Sequence, residues 1–210
     1  DRVLSEDEIR WFCLACDAVG DLWGPLGRVL LLTGQRRGEV LGLADAEIIG
    51  DDWHLSAKRT KNGRPHVVRL SDPVQAVLKG VTRVRGRPGY IFTTTGDTPL
   101  SGLHKGHAKL AEAMAAIAEK ERGEPVQIPH WTWHDLRRTA ATHMAFLKIP
   151  AEVIEAALNH VSGVVAGVAG VYNRHGYADE KRDALDAWAR YVLALVEGTA
   201  GNVIRLEARA

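Results

Sequence analysis

The residues that could do chemistry lie in five short stretches. They are "TGQRRGE" at 33–39, "RTKNGRPHVVRL" at 59–70, "HDLRR" at 134–138, "LNH" at 158–160 and "VYNRH" at 171–175. Together they offer arginines, a lysine beside a turn signal, two histidines and a tyrosine, with no paired carboxylates. Two-metal nuclease chemistry needs Asp and Glu to hold its ions, so this set argues against it. Cationic donors suit an anionic substrate instead. A phosphodiester fits well, because a guanidinium presents a bidentate fork to the non-bridging oxygens. Each donor aimed at the charge of a pentacovalent phosphate contributes about 3–4 kcal/mol, and two arginines can stand in for a metal ion. A tyrosine would be the nucleophile. With an ordinary pKa near 10 it needs a base, which a histidine supplies. A lysine that protonates the leaving alkoxide contributes about 10²–10⁴-fold. The product would be a covalent phosphotyrosine that conserves the energy of the broken bond.

These residues need a frame. "SEDE" at 5–8 fits a capping box, and the spacing predicts a helix from Ser5 to about Val19. "PLGRVLLLTG" reads as a second, buried helix ending at Gly34, and "RRGEVLGL" as a short third. "AEIIG", "DWHLS" and "PHVVRL" are short and rich in β-branched residues, with Gly-Asp-Asp and Lys-Asn-Gly between them. They predict a three-stranded antiparallel sheet with "KNG" in the turn before the third strand. "DPVQAVLKGVT" predicts a helix capped by Asp72 with proline in its first turn. "YIF" reads as a short extended piece. Long helical patterns follow at "SGLHKGHAKLAEAMAAIAEK", "HDLRRTAATHMAFL", "PAEVIEAAL" and "DEKRDALDAWARYVLAL", with "ERGEPVQIPHW" as a loop. On the predicted sixth helix, His134 and Arg137 stand three residues apart and share a face.

The 210 residues suit one large domain or two small ones, and six tryptophans promise a substantial core. No apolar run approaches a membrane span, and the start lacks the layout of a signal peptide. The start also lacks a methionine, which reads as a fragment of a longer protein. Cys13 and Cys16 form a CxxC, but with Ile9 and Phe12 they fall at i, i+3, i+4 and i+7, the apolar face of a helix. They read as buried, reduced thiols in a cytosolic protein. Net charge is +1, yet its distribution is uneven. Residues 56–147 carry 15 Lys and Arg against 7 Asp and Glu, whereas residues 1–55 carry 5 against 11. Gathered on one face, the central excess could receive a phosphate backbone. Taken singly, each candidate reads as ordinary structure: a helix-start pair, a solvated turn lysine, a packing tyrosine. Their joint order is what carries the functional reading.

In that order the motifs closely resemble the catalytic domain of the tyrosine recombinases, the phage integrase family, over nearly the whole chain. The resemblance implies a mainly α fold with a small three-stranded antiparallel β-sheet, shared with type IB topoisomerases. It implies a catalytic unit over residues 1–196; beyond it, Val203, Ile204 and Leu206 after a break read as a tail over 197–210 that could dock in cis or on a neighbouring subunit. The family's N-terminal DNA-binding domain is expected to be absent from this fragment. The first arginine maps onto Arg36, with Glu39 as its supporting acid and Arg37 at a variable position. The lysine maps onto Lys61, nine residues before Leu70, in preference to Lys58. The His-x-x-Arg box maps onto His134 and Arg137, the second histidine onto His160, and the nucleophile onto Tyr172, with Tyr177 as the fallback. Arg37, Lys58, Arg59, Arg64 and Arg138 are expected to meet DNA. Two departures stand out: Asn159 replaces the common glycine before the second histidine, and "VSGVVAGVAG" lengthens the path from His160 to the tyrosine.

The implied activity is site-specific recombination through a 3′-phosphotyrosine, integrating or excising a mobile element. The implied partner is double-stranded DNA, bound as a homo-tetramer by the full-length protein, with the fragment a monomer in solution. No metal or cofactor and no membrane are implied, and the location is the bacterial cytosol or nucleoid. Relaxation of DNA by the same chemistry, and a non-catalytic DNA-binding regulator, are the alternatives.

Overall fold

The computed structural model describes residues 2–160 and 177–200. The first helix, α1 (Glu6–Val19), opens with the expected reciprocal box: Ser5 Oγ accepts from the Glu8 amide, and the Glu8 carboxylate accepts from the Ser5 amide. Its apolar face, with Ile9, Phe12, Cys13 and Cys16, is buried. α2 (Trp23–Thr33) is buried almost throughout and packs against α1. A side chain at Gly24 would collide with the Cys16 carbonyl, which sets how closely the two helices approach. Burial raises the Cys13 thiol to about 11, so both cysteines behave as small apolar residues.

After α3 (Arg37–Leu41) comes a single 3₁₀ turn at Asp45–Glu47, then the sheet. Strands β1 (Ile48–Ile49), β2 (Asp52–Leu55) and β3 (His66–Arg69) pair antiparallel in the order β1-β2-β3, with Trp53 opposite Val68 and Leu55 opposite His66. Trp53, Leu55, His66 and Val68 point inward. The "KNG" lies in the long connection before β3, as its turn signal implies. The "YIF" stretch contributes an isolated bridge from Tyr90 to Ala44.

The remaining helices are α4 (Asp72–Gly80), α5 (Leu103–Arg122), α6 (Trp133–Phe146), α7 (Ala151–Ala157) and α8 (Ala178–Glu197). α4 corrects one expectation. Asp72 is its first helical residue rather than its cap; Ser71 holds the cap position, and proline follows at the second turn position. The core joins α1, α2, α6 and α8 with the inner face of the sheet. Trp188 of α8 is fully buried and donates its indole N–H to the Leu31 carbonyl, which ties the last long helix to α2. Trp131 and Trp133, on either side of the start of α6, are buried and meet edge to face. They pack on Phe12, Trp23 and His107. No helix among the described residues is long and apolar enough to cross a membrane. The architecture is therefore mainly α with a small three-stranded antiparallel sheet.

Candidate active site

The site is organised by the end of α7. A helix leaves its last carbonyls without intrahelical partners. Here the chain stops in a Schellman turn. The His160 amide donates to the Glu155 carbonyl, the Asn159 amide to the Ala156 carbonyl, and Asn159 stands at φ 50°. That conformation suits glycine best and asparagine next, which explains how Asn159 replaces the glycine expected there. The three carbonyls left over each receive side chains from distant elements. Ala157 O accepts from Gln35 Nε2 at 2.9 Å and lies 3.1 Å from His66 Nε2. Leu158 O accepts from Arg137 Nη2 at 2.7 Å. Asn159 O accepts from Arg36 Nη2 at 3.0 Å and from Asn62 Nδ2 at 3.1 Å. The negative end of the helix thus gathers α2–α3, the β2–β3 connection and α6 on one turn.

Arg137 is 7% exposed, and its other nitrogen, Nη1, donates to Gly34 O at 3.0 Å. Gly34 ends α2 at φ 63°, and a Cβ there would meet Leu158 Cδ2 at 2.6 Å. Conformation and space both require glycine at this point. Arg36 sits at the cap position of α3, where the buried Glu39 carboxylate accepts from both its amide and its Nη1. Burial, and then the charge of Arg36, lower the Arg137 pKa to about 10. Two guanidiniums are therefore held close together, with one buried carboxylate partly offsetting them. An anion brought to this place would relieve the repulsion.

Arg36, Arg37, Glu39, Arg59, Lys61 and His134 line one cleft of about 430 Å³. Lys61 is exposed at the tip of the β2–β3 connection. His134, in the first turn of α6, is also exposed at its edge. Desolvation first, then the charges of Arg138 and Arg137, lower its pKa, so it is neutral at pH 7 and able to accept a proton. α6 itself is set by Asp135, which accepts from the Thr132 amide and hydroxyl and from Arg138. Burial opposes the charge on Asp135, yet these bonds and one from the Arg2 amide hold its carboxyl well below the usual range.

The other expected residues are spread around this cleft. His160 is exposed directly after the Schellman turn. Arg37, Lys58 and Arg64 are exposed. Arg59 faces the cleft, but its guanidinium is engaged by Glu47 at 2.7 Å and by the Glu39 carbonyl at 3.0 Å. Arg138 is paired with Asp135. Tyr172 and the lengthened segment after His160 lie outside the described residues, as does the tail beyond residue 200. Tyr177, the fallback, is half-buried at the head of α8. Sequence reading passed over Gln35, Asn62 and His66. Of these only His66 left a signal, a polar residue at an inward position of an alternating strand.

The model of the phage integrase family matches residues 3–177. The chain belongs to the phage integrase family. Among relatives of this phage integrase family member, the prophage integrase IntA of Escherichia coli K12 is 29% identical over 148 residues. That match covers 70% of this chain and 33% of the relative, so the chain spans about a third of the curated protein's length. A solved structure of the Tn1549 transposon integrase, residues 82–397, in complex with circular intermediate DNA is 16% identical. It covers 77% of this chain and 56% of that one, with a TM-score of 0.47.

Proposed function

We propose that this phage integrase family member is a site-specific DNA recombinase, and that residues 1–196 form its catalytic unit. The observation that carries the reading is the convergence of Arg36 and Arg137 on adjacent carbonyls at the end of α7, beside a cleft lined by Lys61 and His134. In this reading double-stranded DNA presents its scissile phosphate to that cleft. Arg36 and Arg137 bind its non-bridging oxygens and stabilise the added charge of the pentacovalent state. The Tyr172 oxygen attacks phosphorus while neutral His134 takes its proton. The bond to the 5′-oxygen breaks, and Lys61 gives that oxygen a proton. His160 donates to the phosphate, and Glu39 keeps Arg36 in place. A 5′-hydroxyl from a second strand then attacks the phosphotyrosine, and the same groups run the proton transfers in reverse. Arg37, Lys58 and Arg64 would meet the flanking phosphates, while Arg59 and Arg138 stay on their carboxylate partners.

The test is a nicked suicide duplex incubated with the full-length protein in EDTA. A denaturation-resistant protein–DNA adduct that disappears in Tyr172→Phe supports the reading. An adduct that survives the substitution moves the nucleophile, first to Tyr177. Absence of any adduct from the wild-type protein on its own element's junction sequence rejects it.

A further inference from the structure

Lys61 occupies a connection of ten residues between β2 and β3, longer than the two to five of most hairpins. The tip is exposed, and a general acid there needs something to hold it. Thr60 closes the turn from within, donating to Arg64 O at 2.7 Å. Asn62, the next residue after Lys61, connects it to the rest of the site. Its Oδ1 accepts from the Arg64 amide at 3.1 Å, which shapes the turn. Its Nδ2 donates to Asn159 Oδ1 at 2.8 Å and to the Asn159 carbonyl, and Asn159 Nδ2 donates back to Asn62 Oδ1 at 3.3 Å. Two carboxamides therefore face one another in a reciprocal pair. One belongs to the lysine turn and the other to the turn that precedes His160 and holds Arg36.

We propose that Asn62, latched to Asn159, is a positioning residue that holds Lys61 over the leaving oxygen of the scissile phosphate. The proposal rests on the recombinase reading above. It also assigns a purpose to asparagine at position 159. Glycine would adopt the same φ with less strain and keep the carbonyl, but only the carboxamide completes the pair. Without the pair, the side of the turn that follows Lys61 loses its tie to α7, and the connection is held by Thr60, by Arg59 on Glu47 and the Glu39 carbonyl, and by the strands. A displacement of about 1 Å at a reacting group costs on the order of 10²-fold in rate.

The test separates a positioning role from a merely structural one through the leaving group. Suicide duplexes carry the encoding element's junction sequence, with either oxygen or sulfur at the bridging 5′ position. In both, the Tyr172 oxygen bonds to phosphorus as the bond to the 5′ atom breaks. An alkoxide needs a proton as it departs; a thiolate, with a pKa near 8.5, leaves without one. Asn62→Ala is expected to slow adduct formation about 10–100-fold on the oxygen duplex and by less than about 3-fold on the sulfur duplex. Lys61→Ala is expected to show the same pattern with a larger amplitude. Asn159→Gly is expected to give a smaller oxygen-specific loss, and adding it to Asn62→Ala should cost little more. Hydrogen exchange over residues 56–65 should rise in Asn62→Ala while α6 and α7 stay unchanged. Equal losses on both duplexes, or no loss on either, would overturn the positioning role. If wild type forms no Tyr172-dependent adduct on either duplex, the recombinase reading falls and the role with it. A wild-type adduct with an unaffected Asn62→Ala rejects the latch alone.

Discussion

The proposed site has two walls, beside and around the cleft, built on opposite principles. On one side Arg137 is buried, with both terminal nitrogens fixed on main-chain carbonyls, and Arg36 is fixed on Glu39 and Asn159. On the other side Lys58, Lys61 and Arg64 stand exposed on a long connection. A group that must recognise charge at a fixed point gains from burial, because lost hydration strengthens its interaction and no reorganisation is needed on binding. A group that must deliver a proton and then withdraw needs access to solvent. If the recombinase reading holds, fold stability and catalysis are expected to be coupled on the arginine wall and separable on the lysine wall.

The sharpest way to break the comparison is Arg137→Ala. It should lower adduct formation by about 10³-fold, since one donor to a developing oxyanion is worth that much. It should also destabilise the fold by about 1–3 kcal/mol, because Gly34 and Leu158 lose the donor to their buried carbonyls. Urea denaturation beside the suicide-duplex assay checks both. Loss of activity with unchanged stability would place Arg137 on the same footing as Lys61. Lys61→Ala comes next, with an expected loss of about 10²–10³-fold in adduct formation and a change in stability within about 0.5 kcal/mol. A destabilisation comparable to that of Arg137→Ala would mean that the exposed wall is also structural.

The arginine wall adds a pH dependence. Burial, and after it the charge of Lys181, push His66 down to about 4, and its Nε2 pairs with the Ala157 carbonyl. The unfolded chain takes up a proton near pH 6.5, whereas the folded chain resists it. The depressed value therefore gives stability that is present above pH 6.5 and is lost as pH falls toward 4. Between pH 7 and pH 5 the loss should be about 2 kcal/mol from this group. Denaturation of wild type and His66→Leu at both values checks it. The variant should be less stable at pH 7 but show a flatter profile. Parallel profiles would remove His66 as the source.

The sequence made the separate pieces legible but not what joins them. α1, its capping box, the Gly34 stop and the antiparallel strands are local patterns, and each formed where its residues indicated. The Arg36–Glu39 pair and the His134–Arg137 helix were legible for the same reason. The site depends on the bare carbonyls of Ala157, Leu158 and Asn159, and a main-chain acceptor has no letter in a sequence. Gln35, Asn62 and His66 reach those carbonyls across 122, 97 and 91 residues. Read alone, they are an ordinary polar residue, a turn residue and a strand histidine. Arg59 shows the converse. It reads as a DNA contact by type and neighbourhood, yet its partner Glu47 lies twelve residues back in a 3₁₀ turn that no periodicity announces.

The smallest expected effect sharpens the exposed wall itself. Lys58 and Arg64 flank Lys61 in sequence and stand exposed, as charges do when their ligand is a phosphate backbone outside the fold. If they meet flanking phosphates, each releases about one counterion on binding. Lys58→Ala and Arg64→Ala should then each weaken DNA binding a few-fold at moderate salt and lower the slope of log K against log salt by about 1. The loss should be similar on junction and unrelated sequences, because phosphate contacts carry no base information. Arg59→Ala is the internal contrast. With its guanidinium on Glu47 and the Glu39 carbonyl, it should leave the salt slope nearly unchanged and lower the unfolding midpoint instead. Fluorescence anisotropy across a salt series measures the slopes. A full unit of slope lost in Arg59→Ala would mean that the Glu47 pair opens for DNA. The line between the engaged and the free cations would then have to be redrawn at that residue.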